Sequence, residues 1–206
     1  MRELMVVLLV LLCYFTIERL KFDRFKSSID GMNYKIVSFY DSNTHKKAAN
    51  KMAILNIFVI NLLRHLKKRY TIGDEGTRNQ RIAAVNLLER YNPDVIKENM
   101  PFSKRYTSYV FNKGDSIGFC LREKTSGKNH FHNINHLKFV VLHELSHLAD
   151  DGYGHTKRFW GIFKWLIQEA VSAGIYYPVN YSLKPQEYCG IMVTYSPYFD
   201  KSLYFA

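Results

Sequence analysis

Leu137-Lys-Phe-Val-Val-Leu-His143-Glu144-Leu-Ser-His147-Leu-Ala149 is the stretch on which the reading of this chain turns. Its apolar positions (139–142, 145 and 148–149) recur as they do along a buried helix, and it holds no breaker. Asn133 or Asn135 is suited to cap its start, and Gly152 or Gly154 to end it. On such a helix residues four apart share a face, so His143 and His147 point their imidazoles at one place. Glu144 lies beside them. Two neutral nitrogen ligands with an adjacent carboxylate form the HExxH pattern of zinc hydrolases, where the glutamate serves as general base. Zn2+ is the expected cofactor, and attack of an activated water on a peptide bond is the expected reaction.

Such a site needs a third protein ligand. His155 follows the Gly152-Tyr153-Gly154 turn, which lets the chain reverse toward the metal. Glu169, on the next predicted helix, is the competing candidate, at a spacing like that of the third ligand in thermolysin-like enzymes. His155 is preferred. The metzincin spacing fails, because Asp150 and Tyr153 stand where that pattern has Gly and His. Asp150 and Asp151 are expected to stay solvated at the helix end. His136 lies about 10 Å back along the axis, too far to share the ion. For His130 and His132, exposure in the polar loop 124–133 is preferred over contact with the substrate or support of the ligands.

The segments His143-Glu-Leu-Ser-His147 and His155-Thr-Lys-Arg-Phe159-Trp160 resemble the WLM metallopeptidases and the wider SprT-like group. Three further stretches share the resemblance: Asn112-Lys-Gly-Asp-Ser-Ile-Gly-Phe-Cys-Leu-Arg122, Ala173-Gly-Ile-Tyr176 and Pro185-Gln-Glu-Tyr-Cys-Gly190. The likeness covers about residues 48–197. It implies an α+β, zincin-like (minigluzincin) domain of helices with a small antiparallel sheet. It also implies a zinc endopeptidase in which His143, His147 and His155 bind the ion and Glu144 is the base.

Other patterns fill in that frame. Tyr106–Phe111 and Ser116–Arg122 flank Asn112-Lys-Gly-Asp115, a turn sequence, and read as a hairpin. The strand Ile117–Leu121 is expected to offer its edge to an extended peptide, with Ile117, Phe119 and Leu121 as contacts. Helices are expected over 46–68, 77–91 (Thr77 as cap) and 156–173. The C-terminal stretch 176–206 is too aromatic for a disordered tail and is expected to pack near the site, with Tyr188 as a possible oxyanion donor.

The run Leu4–Ile17 is almost wholly apolar but, at roughly 21 Å as a helix, short of a full bilayer core. It suits a retained membrane anchor better than a cleaved signal, which would make the protein secreted, because no small-residue cleavage site follows. Arg19, Lys21, Arg24 and Lys26 after it place the catalytic domain on the cytoplasmic side. The expected layout is therefore an anchor over 1–20, a linker over 21–47 in which a short strand at Tyr34–Tyr40 is left open, and a catalytic domain over 48–206.

With 206 residues, 47% of them apolar, one folded domain is the default. The net charge of +11 makes nucleic acid a candidate partner beside a protein or peptide substrate, but the basic clusters are scattered and carry no nucleic-acid motif. Two alternatives therefore stand beside the peptidase: a DNA-associated protease of crosslink-repair type, and a membrane-tethered binding module with a structural zinc site. Cys13, Cys120 and Cys189 include no CxxC pair, so a second zinc site is not expected. Free thiols in a reducing compartment are, with a 120–189 bridge left open.

Overall fold

The computed structural model describes residues 3–7, 21–99, 107–123 and 130–206. Within these, one mixed sheet packs against four helices. The strands are β1 (Phe22–Lys26), β2 (Asn33–Val37), β3 (Ile96–Glu98), β4 (Tyr109–Phe111) and β5 (Ser116–Phe119). Helices α1 (Ser42–Leu66), α2 (Arg78–Arg90), α3 (Ile134–Ala149) and α4 (Lys157–Ser172) surround them. A separate two-stranded hairpin, β6 (Gln186–Tyr188) with β7 (Ile191–Val193), closes one side.

The α+β class is as expected, but the sheet is not the small antiparallel one. Its order is β1-β2-β3-β5-β4, with β2–β3 and β3–β5 parallel and the two outer pairs antiparallel. Parallel neighbours need long crossovers, and α1 with α2 supplies the one between β2 and β3.

Residues 21–47 are not a linker. Tyr34, Ile36 and Val37 of β2 are buried in the same core as α1 and α3. Alternation along Asn33–Val37 puts one face of the strand inward, so the short strand left open at Tyr34–Tyr40 is present, beginning and ending earlier in the chain. The start of α1 explains its longer reach. Asp41 accepts from the backbone N of Thr44, adding a turn before the apolar periodicity begins. Thr77 caps α2 in a reciprocal box with Gln80, and Thr156 caps α4.

The anchor expected over 4–17 lies mostly outside the described residues; residues 3–7 are helical and exposed. Among the described residues no helix is long and apolar enough to cross a membrane.

Candidate metal centre

Helix α3 carries the site. Asn133 caps its start through the backbone N of Asn135. One face of the helix, including Leu142, Leu145 and Leu148, is buried in the core, which sets the opposite stripe of His143 and His147 toward a cleft. The helix stops at Asp150, whose backbone is extended. Gly154, at φ +74°, takes a left-handed turn that side-chain-bearing residues rarely adopt, and the chain comes back with His155.

The imidazoles of His143, His147 and His155 converge there. His155 Nε2 lies 3.1 Å from His143 Nε2 and 3.2 Å from His147 Nε2. Ligands about 2.0–2.1 Å from one tetrahedral zinc ion sit about 3.3 Å apart, so this spacing fits a single ion. Beneath them Phe159 packs its ring at 4.4–5.0 Å from all three imidazoles and holds their rotamers. Burial holds the His143 imidazole down to about 3 and the His147 imidazole to about 4, with the neighbouring histidines adding to both shifts. Both are therefore neutral at physiological pH, the form that binds metal.

Glu144 faces the same cleft and is 5% exposed. Burial pushes its carboxyl up to about 8. The cleft holds about 640 Å³, within the usual range for ligand sites. Its walls are Ser108–Val110 on one side and Ile191–Tyr195 on the other, with Phe139, Trp160 and Phe163 behind.

The other candidate ligands are engaged elsewhere. Glu169 is buried in α4, where it accepts from Arg69 (2.7 Å) and Tyr70 (2.7 Å) and pairs with His65 Nε2 (2.9 Å). Asp151 pairs with Arg90 at 2.7 Å. Asp150 is buried rather than solvated and meets Arg158 at 3.1 Å.

The expected substrate strand is corrected. β5 lies between β3 and β4, so both its edges are hydrogen-bonded, and Ile117, Phe119 and Leu121 are buried in the core. The last strand of the sheet is β4, and its residues line the cleft. Strand order is a tertiary property that the local pattern of a hairpin does not carry. Tyr188 does line the cleft, with its hydroxyl hydrogen-bonded to Ser108. Burial holds that hydroxyl far above its usual titration, so it stays protonated.

One residue that the sequence left without a role supports the site. Lys113, in the turn after β4, donates to the carbonyls of His147 (3.2 Å), Asp150 (2.6 Å) and Gly152, satisfying the end of α3. His132 is not an exposed loop residue: it is buried, with Nε2 3.3 Å from Cys189 Sγ. Cys120 and Cys189 are disulfide-bonded, not free thiols. His130 is exposed, as expected.

The uncharacterized protein R325 of Acanthamoeba polyphaga mimivirus is 36% identical over 135 residues, which cover 62% of this chain and 67% of the relative. The chain belongs to the family of that protein. The uncharacterized protein 136R of Invertebrate iridescent virus 6 is 33% identical over 119 residues, 53% of this chain and 66% of the relative. The uncharacterized protein 042R of Invertebrate iridescent virus 3 is 35% identical over 107 residues, 52% of this chain and 64% of the relative. The chain thus spans about two thirds of the length of these relatives. No family model and no solved structure matches the chain.

Proposed function

We propose that this protein is a zinc-dependent endopeptidase of the WLM or SprT-like kind, with a zincin-like fold. One observation carries the reading: three histidine nitrogens converge at 3.1–3.2 Å on the floor of an open cleft that a buried glutamate also faces. His143, His147 and His155 would hold the ion. Bound zinc supplies Lewis-acid chemistry, acidifying water and polarising a carbonyl.

The chain's own residues do the rest. Glu144 takes a proton from the attacking water and returns it to the leaving amine. Burial raises its carboxyl and a cation at the histidines opposes that rise, which keeps the base useful near neutral pH. Tyr188, permanently protonated, is a hydrogen-bond donor for the developing oxyanion once it leaves Ser108. An extended peptide laid along β4 would gain main-chain hydrogen bonds at the sheet's end and cross the histidines. The apolar wall of Phe139, Trp160 and Phe163 suits a large apolar side chain.

A structural zinc site would be closed by a fourth protein ligand. Glu169 and Asp151 are both committed to arginine partners, which favours an open, catalytic site. The apolar run of residues 4–17 supports attachment to a membrane, and the charge of +11 leaves nucleic acid as a secondary partner.

Glu144→Gln tests the reading. The variant should bind as much zinc as the wild type and lose hydrolysis by about 10²–10⁴-fold or more. Undiminished cleavage by the variant would remove Glu144 from the reaction. Absence of zinc from both proteins would remove the metal.

A further inference from the structure

Outside the histidine triad, one other group of side chains is built like a metal site. Cys120 follows the end of β5, Cys189 sits in the turn between β6 and β7, and His132 precedes α3. Their two sulfur atoms and one imidazole nitrogen all lie within 4.8 Å of one another, and all three residues are buried. The imidazole is fixed from several sides. His132 N donates to the Leu121 carbonyl (3.0 Å), its carbonyl accepts from Lys51 (3.2 Å), and its side chain bonds the backbone of Arg122. Nε2 is left facing Cys189 Sγ. The Cα atoms of the cysteines are 6.4 Å apart, so both thiols reach one point without movement of the backbone.

We propose that in the reduced chain Cys120, Cys189 and His132 bind a second zinc ion, and that the disulfide is the oxidised, metal-free state of the same site. Two thiolates and an imidazole are soft donors that select zinc over hard cations. Charge points the same way. Two thiolates cancel the two charges of Zn2+, and the nearby Arg122 is already neutralised by Glu98 at 2.7 Å. The loaded site is therefore neutral, as burial requires. Among the described residues the group holds three donors, which leaves one coordination position open.

Both states do the same mechanical work. Each ties the end of β5 to the β6–β7 hairpin, whose residues wall the cleft. Interconversion needs an oxidant, and hydrogen peroxide suffices. The two thiolates join as a disulfide and pass two electrons to it. With two protons it leaves as two waters, and Zn2+ is released.

Cobalt(II) distinguishes this site from the histidine triad, because only thiolate ligands give a sulfur-to-cobalt charge-transfer band. The full chain, carrying Cys13→Ser to remove the third thiol, is reduced, stripped of metal and titrated with Co2+. The expected result is a charge-transfer band saturating at one equivalent of thiolate-bound cobalt and bleached by Zn2+. The band should be lost in Cys120→Ser, in Cys189→Ser and after peroxide treatment. It should persist when His143 and His147 are both changed to Ala, so its outcome does not depend on the peptidase reading. The His132→Gln variant should keep the fold and weaken cobalt binding. Absence of the band from the reduced chain, folded or unfolded by circular dichroism, overturns the proposal. So does a band that survives in a folded Cys120→Ser variant.

Discussion

His136 shows how burial alone can set a residue's behaviour. It lies seven positions before His143 on α3 but points into the core, where its Nδ1 meets Tyr181 at 2.9 Å and its Nε2 has no hydrogen-bond partner. Burial, with a smaller push from His132, lowers its imidazole to about 4. The folded value is below the unfolded one, so the neutral form belongs to the fold. Its contribution is intact above pH ~6.5 and is lost as pH falls toward 4, by up to ~3 kcal/mol. The His136→Leu variant should lose less stability than the wild type over that window, measured by denaturant unfolding at each pH. Equal losses in both would remove His136 as the cause. The neighbouring His143 has the same residue type on the same helix, yet it faces the cleft. Residue type and spacing marked His143, Glu144 and His147, because ligand spacing on a helix is local. They did not mark the burial of His132, which depends on partners far away in the chain.

At the scale of elements, the turn between β4 and β5 holds the site from outside. Gly114 takes φ +125°, and a Cβ there would lie 2.6 Å from the Arg90 carbonyl at the end of α2. Arg90 in turn donates to the Leu148 carbonyl on α3 at 2.8 Å. The Gly114→Ala variant should therefore lose roughly 1–3 kcal/mol and with it some order at the end of α3. A drop of several degrees in melting temperature, alongside reduced activity, is the expected reading, and an unchanged melting curve would contradict it. A second tie sits under the sheet. Arg122 and Glu98, 2% and 1% exposed, pair at 2.7 Å, and Glu98 also accepts from the backbone N of Val37 at 3.1 Å. Arg122 further stacks on Tyr40 at 3.9 Å. Changing Arg122 to Met strands a buried carboxylate and should cost about 3–5 kcal/mol. Pairing it with Glu98→Leu should recover much of that loss in thermal unfolding; no recovery would show that packing, not charge, is what the pair supplies.

Across the whole molecule, the metal should be part of the stability. Three neutral imidazoles crowded together, without a carboxylate among them, gain from any cation that joins them. In the disulfide-bonded chain, where the second set of ligands is closed, zinc at about 1,000 times its dissociation constant adds about 4 kcal/mol. For a chain of this size that is on the order of 10 °C in melting temperature. A His147→Ala chain should show little of this rise. A rise of the same size in both would place the ion elsewhere. The sequence by itself determined the HExxH helix and the cap at its start, the reversal that returns His155 and the β4–β5 hairpin, whereas the helix ends at Asp150, ahead of the glycines expected to stop it. All of these rest on interactions within about a dozen residues, where helical spacing and turn chemistry decide the outcome. Only the tertiary structure decided that β1 exists and that β2 joins it to the core sheet, that β4 rather than β5 ends that sheet, and that Cys120, His132 and Cys189 meet. Strand order and contacts across 69 residues follow from which faces are buried together, and no local pattern records that.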